Sequence, residues 1–112
     1  MAKFADYTIK GASGTEYTFG LYAFPNTWKS LGAVYIITKR VEKQGGGGSH
    51  THIYVGETGD LSERHDRHHK KDCFDRHGAN CIGILLEEGE QRRLDIETDI
   101  RNNGDAWPCN DQ

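Results

Sequence analysis

Two runs rich in β-branched and aromatic residues, Ala33–Lys39 (AVYIITK) and His52–Val55 (HIYV), lie either side of four glycines and a serine at 45–49. A stretch with no side chains to pack reads as a flexible turn, and the flanking runs then read as the two strands of an expanded antiparallel hairpin. The same pattern recurs upstream. Tyr7-Thr8-Ile9 and Glu16–Phe19 flank Gly11-Ala12-Ser13-Gly14, which predicts a second hairpin over residues 5–24, ended by Pro25-Asn26. Cys81–Leu86 (CIGILL) is short, apolar and bounded by polar residues, as a buried strand is.

Two segments carry helix signals. Asp60-Leu61-Ser62-Glu63 has the form of a capping box, predicting a helix from Leu61 to Lys71 and a loop over Cys73–Asn80. Glu90–Asn103 reads as a second helix, with Leu94, Ile96 and Ile100 apolar and Gly104 in the C′ position. The order is therefore β-β, β-β, α, β, α. It predicts an α/β (α+β) fold: a three-stranded antiparallel sheet flanked by two helices, with a β-hairpin at 1–30 added to a main unit at 31–112. With 112 residues there is room for one compact domain.

Composition excludes several classes. No apolar run approaches the ~20 residues that cross a bilayer, and MAKFADYTIK has no h-region, so neither membrane association nor a signal peptide is expected. Eleven aromatic residues argue against disorder despite a mean hydropathy of −0.78. Three cysteines (Cys73, Cys81, Cys109) are too few and too odd in number for a secreted disulfide framework, which makes a reducing cytoplasm the default compartment. His65, His68, His69 and Cys73 could supply nitrogen and sulfur to zinc, but no Cys-x-x-Cys pair accompanies them. The net charge of −3 hides a gradient: residues 87–112 hold eight acids against three bases, whereas 61–77 hold five bases against four acids and four of the six histidines. Bulk electrostatics alone does not announce a nucleic-acid binder.

Ordered signatures nevertheless run from Gly32 to Asn110. Ala33-Val34-Tyr35 stands in the first strand of the main unit and Tyr54-Val55-Gly56 at the end of the second. Arg64 follows the second tyrosine by ten residues and His68 by fourteen. Glu97 lies in the last helix, and Asn110 follows Pro108 near the end. In this order the residues resemble the GIY-YIG endonuclease domain, with Ala33 in place of the family's first glycine and a longer interval between the tyrosines. The resemblance implies a metal-dependent endonuclease that hydrolyses a phosphodiester bond in nucleic acid, DNA in the first place, using Mg²⁺ or Mn²⁺ at Glu97. It implies Tyr35 as general base with Tyr54 in support, Arg64 as phosphate clamp, and His68 as a proton-handling group.

The residue chemistry agrees with these roles. A guanidinium fork matches phosphate oxygens, and Arg64 and His68 at i, i+4 share one face of the predicted helix. Arg67, Lys70 and Lys71 add the densest cationic group in the chain, suited to substrate phosphates, and Asn110 could bond substrate or fix the tail. A lone carboxylate between Leu94 and Ile100 is a reasonable ligand for a hard divalent ion, although Arg93 and Arg101 at i±4 offer plain ion pairs instead. Two rivals remain. One is a non-catalytic nucleic-acid or protein binding module on the same fold; the other is an enzyme that relies on a partner protein to deliver DNA.

Overall fold

The computed structural model describes residues 3–62 and 70–110. Five strands and two helices follow in the order β1 (Ala5–Lys10), β2 (Glu16–Ala23), β3 (Ala33–Glu42), β4 (Gly48–Thr58), α1 (Lys71–Arg76), β5 (Cys81–Leu86) and α2 (Glu90–Arg101). All strands join one antiparallel sheet in the order β1-β2-β5-β3-β4. The mixed α+β class is as expected, but the three-stranded sheet is not what forms. Gly20–Ala23 of the first hairpin pair with Cys81–Ile84, so the added hairpin extends the sheet to five strands.

β3 lies between β5 and β4, and its residues from Ala33 to Thr38 are all buried. Covered on both faces, such a strand must be apolar on both, which is why AVYII runs without polar alternation. Ala33, Tyr35 and Ile37 join Ile82, Ile84, Leu61, Cys73 and Phe74 on the face that α1 covers. Val34 and Ile36 join Ile9, Phe19, Val55, Trp107 and the Ile96 and Ile100 side chains of α2 on the other. A register shift between Ile37 and Thr38 leaves Ile53 as an extra residue in β4, and this bulge lets both Ile53 and Tyr54 pack on the α1 side.

The sheet curls until its two edges meet. The Tyr7 hydroxyl of β1 lies 2.8 Å from Nε2 of His52 on β4, although three strands separate them. His52 stacks on Trp107 with ring centroids 4.4 Å apart, and its Nδ1 is 3.2 Å from Asp105. Burial, opposed by Asp105, holds the His52 pKa below the usual histidine range. The neutral ring therefore donates from Nδ1 to Asp105 and accepts the Tyr7 proton at Nε2.

Several local expectations need correction. Cys73–Arg76, expected as loop, is helical, because Cys73 and Phe74 bury against the sheet. The expected helix from Leu61 to Lys71 falls largely on residues 63–69, outside the described residues; Leu61 and Ser62 form a turn that Asp60 closes by accepting the Ser62 N–H. In α2 the core stripe is Arg93, Ile96 and Ile100, while Leu94 is 39% exposed. The helix ends at Arg101, so Gly104 lies one position beyond C′, with φ +94°. Cys73 and Cys109 form a disulfide with Cα atoms 5.8 Å apart, and Cys81 is free and buried. No helix among the described residues is long and apolar enough to cross a membrane.

The glycine segment is a tight end to a long hairpin. Lys43 donates its N–H to Gly47 O, Gly45 to Gly47 all take positive φ, and Glu42 pairs with Gly48. Exchanging residues 43–47 for Asn-Gly keeps the Glu42–Gly48 register and changes no buried contact. Urea denaturation should place that variant within about 0.5 kcal/mol of the parent. A larger loss would mean that the glycines do more than turn the chain.

Candidate active site

Tyr35 and Tyr54 stand on neighbouring strands but are not directly opposed: Tyr35 pairs with Gly56, and Tyr54 with Ile37. Gly56 explains how they meet. An added Cβ there would lie 2.8 Å from Tyr54 Cε2 and 2.9 Å from both Tyr35 Cζ and its hydroxyl, so the rings occupy the space a side chain would fill. Their centroids are 6.0 Å apart and the ring planes are inclined at 35°. Phe74 of α1 supports Tyr54 from behind at 5.4 Å.

The electrostatics of this pair are negative. Burial is the main cause that lifts the Tyr35 pKa far above the usual phenol range, with the neighbouring Tyr54, Glu57 and Glu97 adding to it. Tyr54 is raised by burial and by Glu97, against an opposing Arg101. Both phenols are therefore protonated at neutral pH. A base at Tyr35 needs a nearby cation to favour its phenolate, and the acids Glu57 and Glu97 act the other way.

Glu97 comes from α2, whose buried stripe packs on the sheet face opposite Tyr35. Its charge still acts on both phenols. The carboxylate is half-buried. Burial raises its pKa, Glu57 adds to the rise, and Arg101 at 3.9 Å only partly offsets it. Of the two ion pairs open to Glu97, Arg101 thus supplies a loose one. Arg93 turns instead to Glu57, at 2.9 Å. A half-buried carboxylate with a second acid beside it and incomplete compensation fits a divalent cation well.

Asn110 acts on the backbone. Its side-chain amide accepts from the Val55 N–H at 2.9 Å and donates to the Val55 carbonyl at 2.8 Å, while the Cys109 N–H bonds Ile53 O. The tail thereby fills hydrogen-bonding positions on the free edge of β4 next to Tyr54, which is the tail-fixing role. Lys71 pairs with Asp75 at 2.7 Å, and Lys70 precedes it at the start of the helix that carries Phe74. Arg64, Arg67 and His68 lie outside the described residues. The structure thus brings Tyr35 and Tyr54 together on the α1 side of the sheet, with Glu97 on the helix that covers the opposite face and Asn110 on the edge of β4.

Two residues that sequence reasoning passed over shape the site. Glu57 follows Tyr54-Val55-Gly56 directly, and its place at a strand end beside two tyrosines was the available signal. Arg93 sits at i, i+3, i+7 with Ile96 and Ile100, so a charge on the apolar stripe marked it as a buried anchor. Compared with known proteins, the chain matches no protein-family model, no curated protein and no solved structure.

Proposed function

We propose that this protein is a metal-dependent endonuclease of the GIY-YIG type, hydrolysing a phosphodiester bond in nucleic acid, with DNA as the first substrate to test. In this reading β5, β3 and β4 with α1 and α2 make up the nuclease unit, and the β1–β2 hairpin extends it. The observation that carries the proposal is the Tyr35–Tyr54 pair packed together over Gly56, with the partly compensated Glu97 carboxylate acting on both phenols.

Glu97 would hold Mg²⁺ or Mn²⁺, which when bound supplies Lewis-acid polarisation of the phosphate. The chain's own residues orient and move protons. Tyr35, deep in the site, packs against Tyr54, and Tyr54, the more exposed phenol, can pass its proton to a phosphate oxygen or position the attacking water. For Tyr35 to act as base, positive charge must favour its phenolate, and Arg64 is the residue proposed to supply it, together with the phosphate clamp. His68 would assist proton transfer, with Arg67, Lys70 and Lys71 attracting the backbone of the substrate. The many acids at 87–112 make a DNA-delivering partner protein a natural companion.

A binding module on the same fold is the second reading, favoured by both phenols being held protonated. Nicking of supercoiled plasmid with Mg²⁺, Mn²⁺ or EDTA separates the two. The enzyme nicks only with metal, and Glu97→Gln abolishes nicking while remaining folded. That variant should also be more stable than the parent at neutral pH. Because the folded Glu97 pKa is raised, the stability tied to this group is full below the ordinary glutamate value and is lost as pH rises through the raised value. The margin of Glu97→Gln should therefore close on acidification. DNA binding without cleavage under any metal condition would select the module.

A further inference from the structure

Three groups able to ligate a soft metal meet where α1 faces the C-terminal tail, and Glu97 takes no part in them. Cys73 and His77 are four residues apart, on α1 and at its C-cap, and so lie on one side of that turn. Cys109 reaches them from the tail, fixed by its N–H to Ile53 O. One ligand atom from each of Cys73, His77 and Cys109 lies within 4.8 Å of the others. The cysteines are 3% and 0% exposed, and His77 is exposed.

We propose that when the Cys73–Cys109 disulfide is reduced, Cys73, His77 and Cys109 form a Cys₂His site for Zn²⁺, its fourth position open to solvent. Two thiolates and an imidazole are a zinc donor set, and thiolate sulfur selects against the hard ions that suit Glu97. Around a tetrahedral ion with Zn–S of about 2.3 Å and Zn–N of about 2.0 Å, neighbouring ligand atoms sit roughly 3.4–3.8 Å apart. The three atoms lie within 4.8 Å of one another with the sulfurs bonded, so on reduction the sulfurs must part and the exposed imidazole close in by about an ångström to reach that spacing. Charge also balances, since two thiolates cancel the ion and the imidazole binds neutral, so a buried site carries no net charge.

The chemistry is a two-step exchange. A dithiol reductant gives two electrons and two protons to the disulfide, leaving two cysteine thiols and its own cyclic disulfide. Zn²⁺ then displaces both thiol protons to solvent as the two Zn–S bonds form. Either closure joins residue 73 to residue 109, so the tail stays docked and Asn110 stays on Val55 in oxidising and reducing surroundings alike. The disulfide and the metal are alternative clips at one seam.

Co²⁺ is the probe, added to the full chain after reduction with a phosphine that is then removed under anaerobic conditions. The reduced chain should take up one Co²⁺ with a thiolate-to-cobalt charge-transfer band and tetrahedral ligand-field bands, and Zn²⁺ should bleach both. The oxidised chain should show no charge-transfer band. Cys73→Ser could unfold the seam, so the decisive variant is the exposed His77→Ala. It should weaken Zn²⁺ binding by the reduced chain at least about tenfold, the smallest cost typical of losing even an outer partner of a zinc ligand. Absence of the charge-transfer band in the reduced chain overturns the site, including when Co²⁺ binds without it, because such an ion sits elsewhere. An unchanged titration of His77→Ala overturns it as well.

Discussion

Replacing Arg93 with alanine should cost about 3 kcal/mol of folding stability, read by urea denaturation. The side chain is 5% exposed, in a helix position otherwise reserved for isoleucine. Its guanidinium ties three parts of the chain together, donating to Glu57 on β4 at 2.9 Å and to the Glu87 and Glu88 carbonyls before α2 at 3.1 and 2.7 Å. Truncation removes all of these bonds and leaves a cavity, so the two carbonyls must find water. Breaking a fully buried pair typically costs about 3–5 kcal/mol, and the lower end applies here because Glu57 keeps 22% of its side chain in solvent. Arg93→Lys should recover little, since an ammonium cannot span carboxylate and both carbonyls as the fork does. Removing Arg93 also leaves the Glu57 charge uncompensated beside Glu97, which should move any metal-dependent nicking toward higher pH. Wild-type stability in Arg93→Ala would show the pair to be worth nothing.

The residues show which parts of this architecture were legible and which were not. β5 was found at its true bounds, because a short apolar run between polar residues has few other uses. β3 was found from Ala33, and the hairpin that pairs it with β4 follows from the glycine turn. This adjacency of strands made the meeting of Tyr35 and Tyr54 readable. The pairing of β2 with β5 was hidden, because strand propensity records that a segment is extended and not which distant edge it joins. α1 was hidden for another reason. Six residues cannot form a helix on propensity alone, and only the burial of Cys73 and Phe74 against the sheet settles it. Cysteine number likewise says nothing of which two meet in space, and the disulfide went unseen until the tail was placed along β4. Glu97 was singled out through family resemblance and its helix position. The close approach of the two phenols depends on Gly56, which no periodicity marks.

Gly56→Ala should separate the two tyrosines and remove the site more completely than loss of either hydroxyl. The new Cβ would press at 2.8–2.9 Å on Tyr54 Cε2, Tyr35 Cζ and the Tyr35 hydroxyl, closer than real Cβ contacts come. Those atoms belong to rings and cannot give way as the tip of a lysine can. Tyr35 is 4% exposed and packed among Ala33, Ile37 and Ile84, and Tyr54 rests on Phe74, so any rotation is resisted from behind. Overpacking of this kind costs about 1–3 kcal/mol, and Gly56→Val should lie at the upper end or beyond. Gly89→Ala is the control. Its Cβ would meet the flexible Glu87 carboxylate at 3.3 Å and Arg92 Cβ at an ordinary 3.6 Å, in a β-region backbone with φ −77°, and its stability should change by about 0.5 kcal/mol or less. The phenol pair gives a readout independent of activity. With the two rings pushed apart, the ultraviolet titration of the phenols should change in Gly56→Ala and not in Gly89→Ala, and metal-dependent nicking should be lost only in the former. A Gly56→Ala protein with parental stability and an unchanged phenol titration would mean that the two rings are not held together over this glycine.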